Sequence, residues 1–199
     1  VPVWVAFGLI SVGSDLPPVP DLDKFPAESL RVSLDAKDFE LINQHGEPIQ
    51  LSELKGKAVL LTAVYTRCNA TCPMIFSRMK ETMDALPEEI HGDVEFIAVT
   101  LDPEFDTQDI RSQVAEAYEF DADIFNFVGG DIEYVFNILD AFQFARDHSE
   151  YMNQINHANL FILIDKQGQI AYRFALSSPN PNWIREALEL LAEEESAQA

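Results

Sequence analysis

The chain is predicted to fold as an α/β sandwich on three observations. A continuous apolar run and a second, largely apolar one read as central strands, helical periodicity follows each of them, and a hairpin with a helix closes the chain. Phe39-Glu-Leu-Ile and Ile49-Gln-Leu alternate with period two around the turn Asn43-Gln-His-Gly46, which makes a first hairpin. Ala58-Val-Leu-Leu-Thr-Ala-Val-Tyr65 is a central strand. Met74, Ile75, Met79, Met83 and Leu86 then recur at helical spacing, and the methionines read as packing. Val94-Glu-Phe-Ile-Ala-Val-Thr-Leu101 is the second central strand, followed by a helix to about residue 118 and a short strand near Phe125–Val128. A helix from about Asp131 to Phe144 leads into a long polar loop, 145–156. Leu160–Ile164 and Gln169–Phe174 flank Asp165-Lys-Gln-Gly168 as a second hairpin, and a last helix runs from about Pro181 to Glu194. That order is a thioredoxin-like sandwich with an added N-terminal β-hairpin.

With 199 residues, 47% of them hydrophobic, the chain can bury one sizeable core. Thirteen basic residues against 34 acidic ones leave a net charge of −21, which repels phosphate and argues against nucleic acid and anionic membrane surfaces as partners. The charge suits a basic docking partner and equally a soluble or salt-adapted surface. The apolar run Val1–Gly13 is shorter than the roughly 20 residues of a membrane span. It reads as the cut end of an anchor or signal segment, or as an element packed on the domain. Pro17, Pro18, Pro20 and Pro26 make residues 14–30 a stiff linker. The expected organisation is therefore an apolar segment 1–13, a linker 14–30, a domain 31–194 and a tail 195–199, as in a domain tethered just outside a membrane.

The two cysteines, Cys68 and Cys72, are too few for a disulfide framework and sit in Tyr65-Thr-Arg-Cys-Asn-Ala-Thr-Cys-Pro73, where strand turns into helix. Backbone N–H groups and the helix dipole converge at such a turn and favour thiolate, the form that binds soft metal and attacks disulfides. Three intervening residues, rather than the two of a thioredoxin redox motif, put the second sulfur a full helical turn along, where both can converge on one ion. Two thiolates suit Cu(I), and an imidazole added to them would also hold Cu(II). His45 and His91 lie in turns and read as solvated. His157 stands just before a strand, and His148 competes with it from within the 145–156 loop, which is long enough to close over the thiols. Met152 in that loop is a weaker soft-ligand candidate. Asp102 and Asp106 read as a turn and helix N-cap, and Arg67 as either a thiolate-stabilising charge or a surface ion pair.

These residues carry a resemblance. Cys-x-x-x-Cys-Pro after a buried strand, Leu101-Asp-Pro-Glu-Phe-Asp-Thr107, Leu51-Ser-Glu-Leu-Lys-Gly-Lys57 and a His eleven residues before the Gly of an Ile-Asp-Lys-Gln-Gly turn are similar to the Sco/SenC family, over roughly residues 34–176. The resemblance implies a membrane-tethered, extracytoplasmic copper chaperone, on the periplasmic side of a bacterial inner membrane. Its partner would be the copper-binding subunit of cytochrome c oxidase or another copper-accepting protein, and its copper ligands Cys68, Cys72 and His157. The chain departs from the family pattern at Asn69 and Gln108, where Pro is common, and at Asn156-His157-Ala158, where Asp-His-Ser/Thr is common; Asp147-His148-Ser149 mimics that tripeptide.

Two readings of the same thiols stay open: a metallochaperone with redox-gated cysteines, and a thiol–disulfide oxidoreductase in which Cys68 attacks and Cys72 resolves. The first needs His157 and the second does not. A thiol peroxidase would place Pro ahead of the reactive cysteine, and no Pro precedes Cys68 here. A zinc site of the Cys2His type lacks an obvious general base beside it.

Overall fold

The computed structural model describes residues 23–149 and 154–194. The apolar run Val1–Gly13, most of the linker, Met152 and the tail 195–199 lie outside the described residues. Among the described residues no helix is long and apolar enough to cross a membrane.

The chain enters through a one-turn helix α1 (Ala27–Leu30) and a two-residue strand β1 (Leu34–Asp35). Strands β2 (Glu40–Ile42) and β3 (Pro48–Gln50) form the first hairpin, with Leu41 opposite Ile49. Then follow β4 (Ala58–Val64), α2 (Cys72–Asp84), β5 (Val94–Thr100), α3 (Gln108–Ala117), β6 (Phe125–Val128) and α4 (Ile132–Ala141). A ribbon of β7 (Arg146–Ser149) and β8 (Gln154–His157) precedes β9 (Leu160–Ile164), β10 (Gln169–Ala175) and α5 (Asn182–Glu193). The main sheet has six strands in the order β1-β10-β9-β4-β5-β6, with β4, β5 and β6 parallel and β9 antiparallel to β4.

Every residue of β4, β5 and β6 is buried, which is why their sequences show no alternation. Helix α5 packs on β4, β9 and α2, α3 on β6, and α4 on β5. Phe76 of α2 meets Phe127 of β6 edge-on, and Phe120 stacks on Phe125 at 3.8 Å between centroids. The first hairpin is fastened to the β6 end by reciprocal backbone bonds between Ile42 and Gly129, both 2.9 Å. Beside that bridge, the buried Arg111 donates to the carbonyls of Phe127 (2.9 Å), Asp106 (2.7 Å), Ile42 (3.0 Å) and Asn43 (3.4 Å). Gly129 has to be glycine: a Cβ there would stand 2.6 Å from Arg111 Nη1.

Four sequence expectations are corrected. Within the expected 145–156 loop, residues 146–149 and 154–156 belong to the β7–β8 ladder, which pairs Arg146 with His157 and His148 with Ile155. Helix α4 stops at Ala141 rather than Phe144, because Gln143 takes φ 61°, which no helix accommodates. Met74 is exposed, whereas Met79 and Met83 are buried. Ile75, Met79 and Met83 follow one another at four-residue spacing on the inward face, whereas Met74 stands five residues before Met79, about 140° round the helix, and points outward. Within the expected linker, Phe25 packs against Tyr172, Phe174 and Trp183, and α1 follows it.

Candidate metal centre

Strand β4 delivers the chain to the top of the sheet, and residues 65–71 turn it into α2. Cys72 is the first residue of that helix and Pro73 the second, where a missing N–H costs nothing. Cys68 is half-buried and Cys72 buried. The Cys72 backbone N–H points at Cys68 Sγ over 3.5 Å, and His157 Nε2 lies 3.4 Å from Cys72 Sγ. One donor atom from each of Cys68, Cys72 and His157 lies within 4.8 Å of the other two. A cavity of about 190 Å³ opens over them, lined by Tyr65, Cys68, Thr71, Ile155, His157 and Asn159 among others.

Frame elements hold the imidazole. His157 ends β8, and the next residue, Ala158, donates its N–H to Ala145 O at 2.8 Å. The ribbon is anchored by Arg146, which bonds Asp140 at 2.6 Å and lies over the Phe136 ring at 4.5 Å. Tyr65 supports it from below. Its hydroxyl accepts the Ile155 N–H at 3.1 Å, and its ring meets His157 edge-on with centroids 5.9 Å apart. His157 Nδ1 lies 3.3 Å from Ala158 O. A carbonyl can only accept, so this contact puts the ring proton on Nδ1 and leaves the Nε2 lone pair facing the thiols.

The thiol loop is braced from the β5 side. Asp106, fully buried, accepts from the Thr66 N–H and hydroxyl and from the Thr100 hydroxyl. Thr107, not Asp106, caps α3 by accepting from Ile110 N. Arg67 is neither free nor a thiolate partner in these contacts: it forks onto Asp102 (2.9 and 2.5 Å) and lies over Phe105 at 4.4 Å. The segment Leu101–Thr107 is thus a clamp on the residues just before Cys68.

The two thiols differ in character. Burial pushes the Cys68 thiol up, but the N–H groups of Cys72 and Ala70, with the Cys72 thiol and Tyr65 hydroxyl, outweigh it and leave the pKa below the ordinary value. Burial pushes the Cys72 thiol well above the ordinary range, reinforced by Cys68 and Asp106. Burial also lowers the pKa of His157, opposed by the Ala158 carbonyl, so the imidazole stays neutral and available as a donor to lower pH than usual. In the reduced, metal-free protein, iodoacetamide is therefore expected to modify Cys68 at least about tenfold faster than Cys72. Fragment-ion mass spectrometry of the peptide between Arg67 and Arg78 reads the two sites separately; preferential labelling of Cys72 would contradict this electrostatic picture.

Of the residues singled out from sequence, the fold brings Cys68, Cys72 and His157 together. His148 lies in β7 opposite Ile155. His45 is exposed in the first hairpin turn, while His91, expected on the surface, is half-buried near Asp121. Sequence reasoning missed Tyr65, whose signal was a hydroxyl-bearing aromatic at the very end of a buried strand, and Asn159, for which no local signal exists.

Two thiols and an imidazole converging above the first central strand of a thioredoxin-like fold make a donor set that could hold a metal ion. The chain belongs to the SCO1/SenC family, whose sequence profile matches residues 28–192. It is 30% identical over 160 residues to an SCO2-like protein of Rickettsia felis, covering 76% of this chain and 74% of that one. The crystal structure of a SCO1/SenC family lipoprotein from Bacillus anthracis superposes with a TM-score of 0.74 at 26% identity, covering 82% of this chain and 98% of the other. ScoI of Bradyrhizobium japonicum, solved with copper bound, shares the fold at a TM-score of 0.67 and 22% identity, over 79% of this chain and 97% of its own.

Proposed function

We propose that this chain is a copper metallochaperone that serves the dinuclear copper centre of cytochrome c oxidase from the extracytoplasmic side of a membrane, to which residues preceding the domain tether it. The observation that carries the reading is the convergence of three donor atoms within 4.8 Å, two of them sulfur. Thiolates select Cu(I), and the imidazole extends the set to Cu(II), so copper is the cargo that this chemistry favours. The open cavity beside Cys68 admits an incoming ligand, as handover by ligand exchange requires. Release is gated by redox state on this reading. When an oxidant takes two electrons from the thiolates, the Cys68–Cys72 disulfide forms and both sulfur ligands are lost together.

The unlike thiols support a second role for the same residues. An accessible Cys68 with a lowered pKa suits attack on a partner disulfide, and a buried Cys72 suits resolution of the mixed disulfide. An anaerobic Cu(I) titration against a competing chromogenic chelator separates the roles. The reduced protein is expected to take up one tight equivalent and the disulfide form none. Failure of the reduced protein to compete with the chelator would move the oxidoreductase reading to first place.

A further inference from the structure

Beside the metal centre lies a second, larger hollow of about 460 Å³, walled by Thr71, Met74, Ala158, Asn159, Leu160 and Leu176 among others. Thr71 and Asn159 also line the cavity over Cys68 and His157, so the two spaces adjoin. Three features of this hollow are unusual for a bare surface. None of its lining residues is charged, in a chain with a net charge of −21. Met74, on the first turn of α2, holds its thioether side chain 57% exposed at the rim, more than any other large apolar residue among those described. Asn159 has its side-chain oxygen Oδ1 buried without a hydrogen-bond partner, while its backbone carbonyl is taken by Leu176 N–H at 2.9 Å. A buried acceptor left unpaired costs stability, about 1–3 kcal/mol in general, unless something else satisfies it.

We infer that this hollow is the docking groove for an extended, cysteine-bearing segment of the copper-accepting protein. Apolar residues flanking the partner's cysteine occupy the space between Met74 and Leu176, and a turn of the Asn159 amide toward the hollow lets Oδ1 accept one of its N–H groups. The partner's sulfur then enters the adjoining cavity at Cys68. The shared wall with the metal centre points to the occupant: a sulfur that exchanges onto an ion held there has to come within roughly 2.3 Å of it, and the chain carrying that sulfur must lie in the space beside it. The neutral lining in a highly acidic surface selects an apolar strand over a charged one. The inference rests on the chaperone reading for the identity of the partner, but the groove's preference for an apolar thiol segment can be tested without metal.

The test uses the full chain carrying Cys72→Ser, with Cys68 converted to its mixed disulfide with thionitrobenzoate. An incoming thiolate attacks Cys68 Sγ, a new S–S bond forms, and the thionitrobenzoate thiolate leaves with the electron pair, read by its colour. The probes are two capped peptides, one with cysteine flanked by Val and Leu, one with cysteine flanked by Gly and Ser, and cysteamine as a reference thiol. The apolar peptide is expected to react at least about fivefold faster than the polar one relative to thiol pKa. Met74→Glu, at an exposed position that leaves the core intact, is expected to abolish that preference, and Asn159→Leu to slow both peptides, with cysteamine unaffected in each. Equal rates for the two peptides, or a preference that survives Met74→Glu, would overturn the inference. Cu(I) uptake by the Met74→Glu protein with its native cysteines distinguishes the two failures. Uptake at the parent's level together with lost peptide preference supports the groove, and absence of uptake in the parent itself removes the chaperone reading and leaves the groove to a disulfide-exchange partner.

Discussion

Replacing His157 by Ala is expected to weaken Cu(I) binding by the reduced protein by about 100-fold, equivalent to about 2.8 kcal/mol at about 1.4 kcal/mol per tenfold. Removing even an outer-shell partner of a metal ligand commonly costs 10- to 100-fold, so loss of a direct donor sits at or beyond the top of that range. The imidazole is already oriented for coordination. Its Nε2 faces Cys72 Sγ at 3.4 Å, its proton is parked on the far nitrogen, and Tyr65 and the ribbon fix the ring. Cys72→Ser should cost more still, because a soft thiolate is exchanged for a hydroxyl. His148→Ala serves as the comparison and should leave affinity unchanged. Competition titrations of the three variants decide the matter, and a loss in His148→Ala equal to that in His157→Ala would reassign the third donor.

Replacing Arg111 by Ala should destabilise the protein by about 3 kcal/mol, the largest effect expected away from the thiols. Its guanidinium is buried with no carboxylate among its hydrogen-bond partners, and desolvation lowers its pKa against the pull of Asp106. It is retained because its planar fork reaches carbonyls on three separate segments, Ile42 and Asn43 of the first hairpin, Asp106 of the thiol-loop clamp and Phe127 of β6. Truncation removes the guanidinium donor from the Phe127 and Asp106 oxygens, leaves Ile42 O with only the Gly129 N–H and Asn43 O with only the Gly46 N–H, and opens a void against Gly129. Lysine would not substitute, since a single ammonium cannot span the same set. The denaturation midpoint and amide exchange at Ile42 and Gly129 report the effect; a change under about 1 kcal/mol with unaltered exchange would show that the hairpin is held by other contacts.

How legible these features were depended on whether local sequence or long-range contact determines them. Strands β4, β5 and β6 announce themselves because burial on both faces leaves mostly apolar residues, and Cys68 and Cys72 because thiols at a strand–helix turn have few structural uses. The β7–β8 ribbon does not. Its residues are mostly polar and do not alternate, and what orders it is backbone pairing plus two anchors, Arg146 of β7 held by Asp140 of α4 and Tyr65 just past the end of β4. Met74 was misplaced for the opposite reason. A loose spacing pattern accepts Met74 beside Met79 and Met83, while the helix turns it about 140° away from Met79 and buries Ile75 and Phe76 instead. The packed end of the linker, with Phe25 on Tyr172, was hidden by its proline content.

The way the main sheet ends on each side has a consequence for crowding. Unpaired strand edges template aggregation, and a domain tethered at a surface would meet its own copies at high local concentration. On one side, the outermost strand is the two-residue β1, laid along β10 and too short to recruit a neighbour. On the other, β6 is only four residues long, and the first hairpin bridges to Gly129 just past its end. The two segments appended to the core sandwich carry none of Cys68, Cys72 and His157. Their contribution is to close both flanks, so that the face left open to other molecules is the one bearing the reactive sulfurs.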